Sequence, residues 1–175
     1  MDLASKIKIS SEKIVSIAES ADQALFFKKP SVDEWSIAEV IDHLHLVNTG
    51  LLERFNAALK EEAKAVPLPK RLVPFDVLLG IRLKRVNAPE HVKPVKANGM
   101  TKSQLLANFK STRSELLKFF EKNGDVLPKI TPKHPFFGYL TGTVMQKVII
   151  GHDKRHTKQM QEILKRISGP NKSGR

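Results

Sequence analysis

Apolar side chains recur along this chain at helical intervals. Ile14, Ile17, Ala18, Ala21 and Leu25 follow the i, i+3, i+4, i+7 pattern. They predict a first helix that begins between Leu3 and Ser11 and that Pro30 ends by removing a backbone donor. Ser36 and Glu39 form an S-x-x-E capping box and open a second helix, expected to run to about Ala65 and stop before Pro67. Thr101 and Gln104 cap a third helix to about Asn123, with Leu105, Phe109, Thr112, Leu116 and Phe120 as its apolar stripe. Gly124 stops it. Thr141 caps a fourth, reaching about Ile167. Between the second and third helices, Pro67, Pro69, Pro74, Pro89 and Pro94 leave room for a short helix at most, over Phe75–Val86. A connection so long is expected to cover or border a binding site. The pattern predicts an all-α four-helix bundle with one long connection between helices 2 and 3. It is read as a single domain over 1–168 with a flexible tail over 169–175.

The helical wheel locates the candidate chemistry. At about 100° per residue, Met145, Val148, His156, Gln159 and Ile163 all fall within about 40° of His152 on the fourth helix. Lys147, Lys154, Lys158 and Lys165 lie on the other side, as a solvated face. His152 and His156 are therefore one turn apart in the middle of a buried stripe. Two buried imidazoles need a partner each: a shared divalent ion with a third ligand from a facing helix is one, and carboxylates or water are others. The second helix offers His43 or His45, about 160° apart. Phase leans to His43 without deciding the matter. Gly50, on the His43 side, suggests space kept open for a ligand or a close helix. Glu39 also lies near His43 and is a candidate base, although the capping box accounts for it structurally. Asp42 and Asp153 are read as solvated or supporting. His91 and His134, in loops beside prolines, are assigned no chemistry, and Trp35 is read as a core anchor.

Composition narrows the ligand set. None of the 175 residues is cysteine, so disulfides, thiolate ligands and cysteine nucleophiles are excluded. Imidazoles and carboxylates suit zinc or nickel first, and manganese or iron next. The net charge of +12 favours an anionic small-molecule substrate. Nucleic acid is the least favoured partner, since no helix-turn-helix, zinc finger or aromatic platform accompanies the basic residues. No apolar run is long enough to span a membrane, and the first residues lack a signal-peptide apolar region. A cytoplasmic location is expected.

Three blocks resemble the DinB-like (DinB/YfiT) superfamily. They are Trp35-Ser36-Ile37-Ala38-Glu39-Val40-Ile41-Asp42-His43-Leu44, then His134-Pro135-Phe136-Phe137-Gly138-Tyr139-Leu140-Thr141, and finally His152-x3-His156-x2-Gln159. Their order and separation carry the likeness, which spans residues 35–159. It implies a four-helix bundle and a divalent metal held by His43, His152 and His156, and so selects His43 over His45. Relatives include S-transferases and isomerases using a low-molecular-weight thiol, and hydrolases without an assigned substrate. The expectation is a metal-dependent thiol S-transferase or hydrolase, with a homodimer as the expected assembly. A non-catalytic metal-binding stress-response module is the alternative, and a nucleic-acid binder ranks last.

Overall fold

The computed structural model describes residues 1–80, 89–94 and 99–168. Four long helices dominate: α1 Leu3–Ser20, α3 Ile37–Ala58, α6 Lys102–Lys122 and α7 Gly142–Ile167. Three short ones intervene: α2 Gln23–Phe27, α4 Leu68–Leu72 and α5 Phe75–Leu78. A one-turn helix follows at Glu90–Val92, and a two-stranded hairpin of β1 Lys133–His134 and β2 Gly138–Tyr139 precedes α7. Helix α7 packs along α1, α3 along α6, and α1–α6 and α3–α7 contacts close the bundle.

Both predicted capping boxes form, at Ser36/Glu39 and at Thr101/Gln104. Two boundaries differ from expectation. The first helix stops at Ser20, because Asp22 accepts from the Leu25 N–H at 2.7 Å and starts α2 afresh. The second stops at Ala58 rather than near Ala65. Residues 59–65 beyond it are exposed, and the Lys64 N–H turns away to donate to Thr131 Oγ1 at 2.7 Å. Of the short helix expected over 75–86, Phe75–Leu78 is helical; 81–86, like the tail 169–175, lie outside the described residues. In the hairpin, Gly138 sits at φ 67°, a left-handed conformation that favours glycine.

The buried apolar residues form two clusters. One gathers Phe55, Leu116, Phe120, Leu127 and Met145; the other gathers Ile14, Phe26, Ile41, Phe109 and Met160. On α7 the clusters part between Ile150 and Met160, the stretch that carries His152 and His156. The lysine face of α7 is not wholly solvated. Helix α5 lies across it, and Lys154 and Lys158 donate to the Asp76 and Gly80 carbonyls at 3.1 and 2.9 Å.

That crossing explains Gly151. A β-carbon there would lie 2.3 Å from the Phe75 carbonyl oxygen and 2.8 Å from Leu79 Cβ. Gly50 differs: a β-carbon would meet the Arg54 guanidinium at an ordinary 3.4 Å, so the space above it belongs to that side chain. Gly151→Ala should therefore lower the unfolding free energy by about 1–3 kcal/mol as α5 is pushed off. Gly50→Ala should leave it unchanged or raise it by up to about 1 kcal/mol through helix propensity. Urea unfolding of the two variants checks both signs.

Candidate metal centre

Helices α3 and α7 bring His43, His152 and His156 together. His152 Nε2 lies 3.3 Å from His43 Nε2 and 3.1 Å from His156 Nε2. One nitrogen from each ring falls within a mutual 4.8 Å, an arrangement that can hold a metal ion. Tetrahedral ligands at 2.0–2.1 Å from a shared ion would stand about 3.3 Å apart. His45 points elsewhere, its Nδ1 against Thr112 Oγ1 of α6 at 3.3 Å.

The far side of two rings is anchored. His43 Nδ1 donates to the Val92 carbonyl at 2.7 Å, and His156 Nδ1 pairs with Gln159 Oε1 at 2.9 Å. A carbonyl can only accept, so the hydrogen sits on Nδ1, and a neutral ring then turns a bare Nε2 inward. Burial holds the pKa of His43 below the ordinary imidazole value. His152 is pushed well below it by burial, then by His156, His43 and Arg113. Two bare nitrogens turned toward His152 Nε2 make an arrangement that suits a shared cation. Trp35 is half-buried and walls the cluster, its ring centroid 5.0 Å from that of His43 and stacked 6.5 Å from that of His156.

Both neighbouring aspartates are buried rather than solvated, at 4 % exposure for Asp42 and 0 % for Asp153. Asp153 accepts from Arg113 Nη2 at 2.8 Å and from Ser10 Oγ at 2.5 Å, pinning α7 to α6 and α1. Its immersion under α1 pushes its carboxyl up, against the opposing pull of Arg113 and Ser10. Glu39 closes the capping box: its Oε2 accepts from the Ser36 N–H at 2.7 Å and its Oε1 pairs with Lys29 at 3.2 Å. Both carboxylate oxygens are engaged, and Glu39 is not among the side chains lining the cavity.

The histidines open into a cavity of about 740 Å³. Val47, Leu51, Val148 and Ile149 contribute apolar wall, and Trp35 and Phe137 aromatic wall. The long connection borders it as expected, through Pro89 and His91 to Pro94. His134, passed over in the sequence, also lines it. Its Nδ1 accepts from the Phe136 and Phe137 N–H groups at 3.2 and 3.3 Å, and its ring stacks on Phe137. Burial, aided by Arg54, lowers its pKa to about 4. His43, His134 and His152 thus take up protons at lower pH when folded than when unfolded, where imidazoles protonate near pH 6.5. The unfolded chain binds more protons below that value, so stability should fall as pH drops from 6.5 toward 4. Urea midpoints of metal-free protein across that range should fall, and less steeply in His134→Phe.

Comparison with known proteins agrees with this architecture. The chain matches the DinB superfamily over residues 7–160. It is 32% identical over 142 residues to the uncharacterized protein YuaE of Bacillus subtilis (strain 168), covering 80% of this chain and 83% of that one. Its fold is similar to that of YfiT from Bacillus subtilis, with a TM-score of 0.69 at 14% identity, covering 95% of this chain and 86% of the other. YfiT is described as a probable metal-dependent hydrolase with an unusual four-helix bundle topology. The capped four-helix bundle, the buried histidine cluster and the extent of the sequence match together establish that this chain belongs to the DinB superfamily.

Proposed function

We propose that His43, His152 and His156 hold one divalent ion, zinc or nickel in the first place, and that the protein is a metal-dependent hydrolase of a small-molecule substrate. The observation that carries this is the convergence of the His43 and His156 Nε2 atoms on His152 Nε2, at 3.3 and 3.1 Å. The description of YfiT supports hydrolysis. A divalent ion so held supplies Lewis acidity toward a carbonyl group, a water or a thiol. The chain supplies the rest. Val92 and Gln159 hold two rings with Nε2 inward. Trp35 walls the rings of His43 and His156 and would limit the access of bulk water there. On this reading Glu39 anchors the start of α3 rather than moving protons.

Thiol S-transfer is a second reading. About 740 Å³ is room for a low-molecular-weight thiol beside its acceptor. The nucleophile would come from that small molecule, since the protein has no cysteine.

Purified without a nickel column, the protein should carry about one divalent ion per chain. His152→Ala should abolish stoichiometric binding with little change in helical circular dichroism; His45→Ala should leave it intact. Gln159→Leu should weaken it about 10- to 100-fold, as loss of an orienting partner does. Full occupancy in His152→Ala would sink the assignment.

Metal-loaded protein should turn over nitrophenyl esters, or conjugate a small thiol to chlorodinitrobenzene, with activity lost on chelation and in His156→Ala. Stoichiometric metal with no metal-dependent rate in either assay would favour a non-catalytic metal-binding role.

A further inference from the structure

The end of the cavity away from Trp35 carries a cation with no carboxylate partner among the described residues. Arg54 lies on the α3 face of His43 and lines the cavity. Among the described residues its hydrogen-bond partner is His91 Nε2, 3.4 Å from Nη2, and no Asp or Glu lies within ion-pair distance. The undescribed stretches 81–88, 95–98 and 169–175 contain neither Asp nor Glu. Two other arginines of the cavity differ: Arg113 is bound to Asp153 and Arg166 to Glu34.

A second donor sits in the same wall. The backbone N–H groups of Phe136 and Phe137 occupy His134 Nδ1. A neutral imidazole accepting at Nδ1 carries its hydrogen on Nε2. Among the described residues that Nε2–H meets no acceptor, and Arg54 is near enough to depress the ring's protonation. The backbone of the hairpin thus locks a neutral imidazole as a donor. A cation and an oriented donor lining one cavity with apolar walls match an anionic oxygen group attached to an apolar body.

We infer that Arg54 and His134 form an anion-recognition subsite at this end of the cavity, taking a carboxylate or phosphate group of the substrate. This rests on the proposed reading for where the substrate reacts, at the histidines. Spacing follows from α3. The Arg54 guanidinium lies over Gly50, 3.4 Å from where a β-carbon would be, and Gly50 is seven residues beyond His43. At 1.5 Å per residue this is about 10 Å along the helix axis. The substrate class is accordingly an organic anion whose charged group stands about 10 Å from its reactive group.

Octanoate, octyl phosphate and octanol, titrated calorimetrically into chelator-treated and zinc-loaded protein at pH 7.5 and low salt, test this. Both anions, or whichever of the two the subsite prefers, should bind better than octanol in both preparations. Arg54→Met should weaken that binding about 10- to 100-fold, the loss of a charge-assisted hydrogen bond, and Arg54→Lys should restore part of it. Lys110→Met removes the same charge from the distant α1–α6 surface, where Lys110 pairs with Glu19 at 2.9 Å, and should change nothing. The ring ¹⁵N signals of His134 should report the Nε2–H form and shift on titration. Undetectable binding by the wild type, binding unchanged in Arg54→Met, or an equal loss in Lys110→Met would each overturn the subsite. Anion binding that depends on Arg54 in a protein with no stoichiometric zinc would uphold the subsite and overturn the metal reading instead.

Discussion

Three imidazoles packed side by side, His43 and His156 buried and His152 half-buried, are the constraint on which the rest of this structure depends. Each loses water on folding, and an unpartnered polar atom in that position costs about 1–3 kcal/mol. The protein meets this on the outer side of two rings, through the Val92 carbonyl and the Gln159 side chain. The inner nitrogens of His43 and His156 are left facing that of His152 at 3.3 and 3.1 Å. The core is arranged around this polar cell: the two apolar clusters part on α7 between Ile150 and Met160.

Keeping that cell in register requires α7 to be held from several directions. Asp153, next to His152, is tied at once to Arg113 of α6 and Ser10 of α1. Breaking a buried ion pair by removing one partner costs about 3–5 kcal/mol, so the tie resists rotation of α7 about its axis. On another face α5 presses to within contact of Gly151, one residue before His152. The proline-rich connection then does two jobs with two of its parts. Residues 75–80 clamp α7, and Val92 orients His43.

Much of the fold is legible in the chain, for local reasons. Capping boxes work over four residues, so Ser36/Glu39 and Thr101/Gln104 mark helix starts that the structure reproduces. Helical phase puts His152 and His156 on one face and leaves Lys154 and Lys158 off it. Phase also places Arg113 within the Leu105, Phe109, Leu116, Phe120 stripe, a signal that a charged side chain is buried there. Phase is silent about which elements cover a second face. It therefore misjudged Asp153, buried by α1, and the lysine face, crossed by α5. Gly50 and Gly151 look alike in sequence. One abuts the flexible end of Arg54 and the other a backbone carbonyl.

What the sequence by itself determined is the four long helices, the pairing of His152 with His156, and, through the likeness to a known family, the choice of His43. These follow from short-range spacing and from motif order. Only the tertiary structure decided which groups complete the site: the Val92 carbonyl, the buried Arg113–Asp153–Ser10 tie, and Arg54 with His134 on the cavity wall. Val92 acts through its backbone, which every residue type has, so no side-chain pattern could mark it. The others depend on the distance between residues 40 to 143 positions apart or on a hairpin turning one histidine inward. Such distances are set by how helices pack, and packing is a property of the folded chain rather than of any one segment.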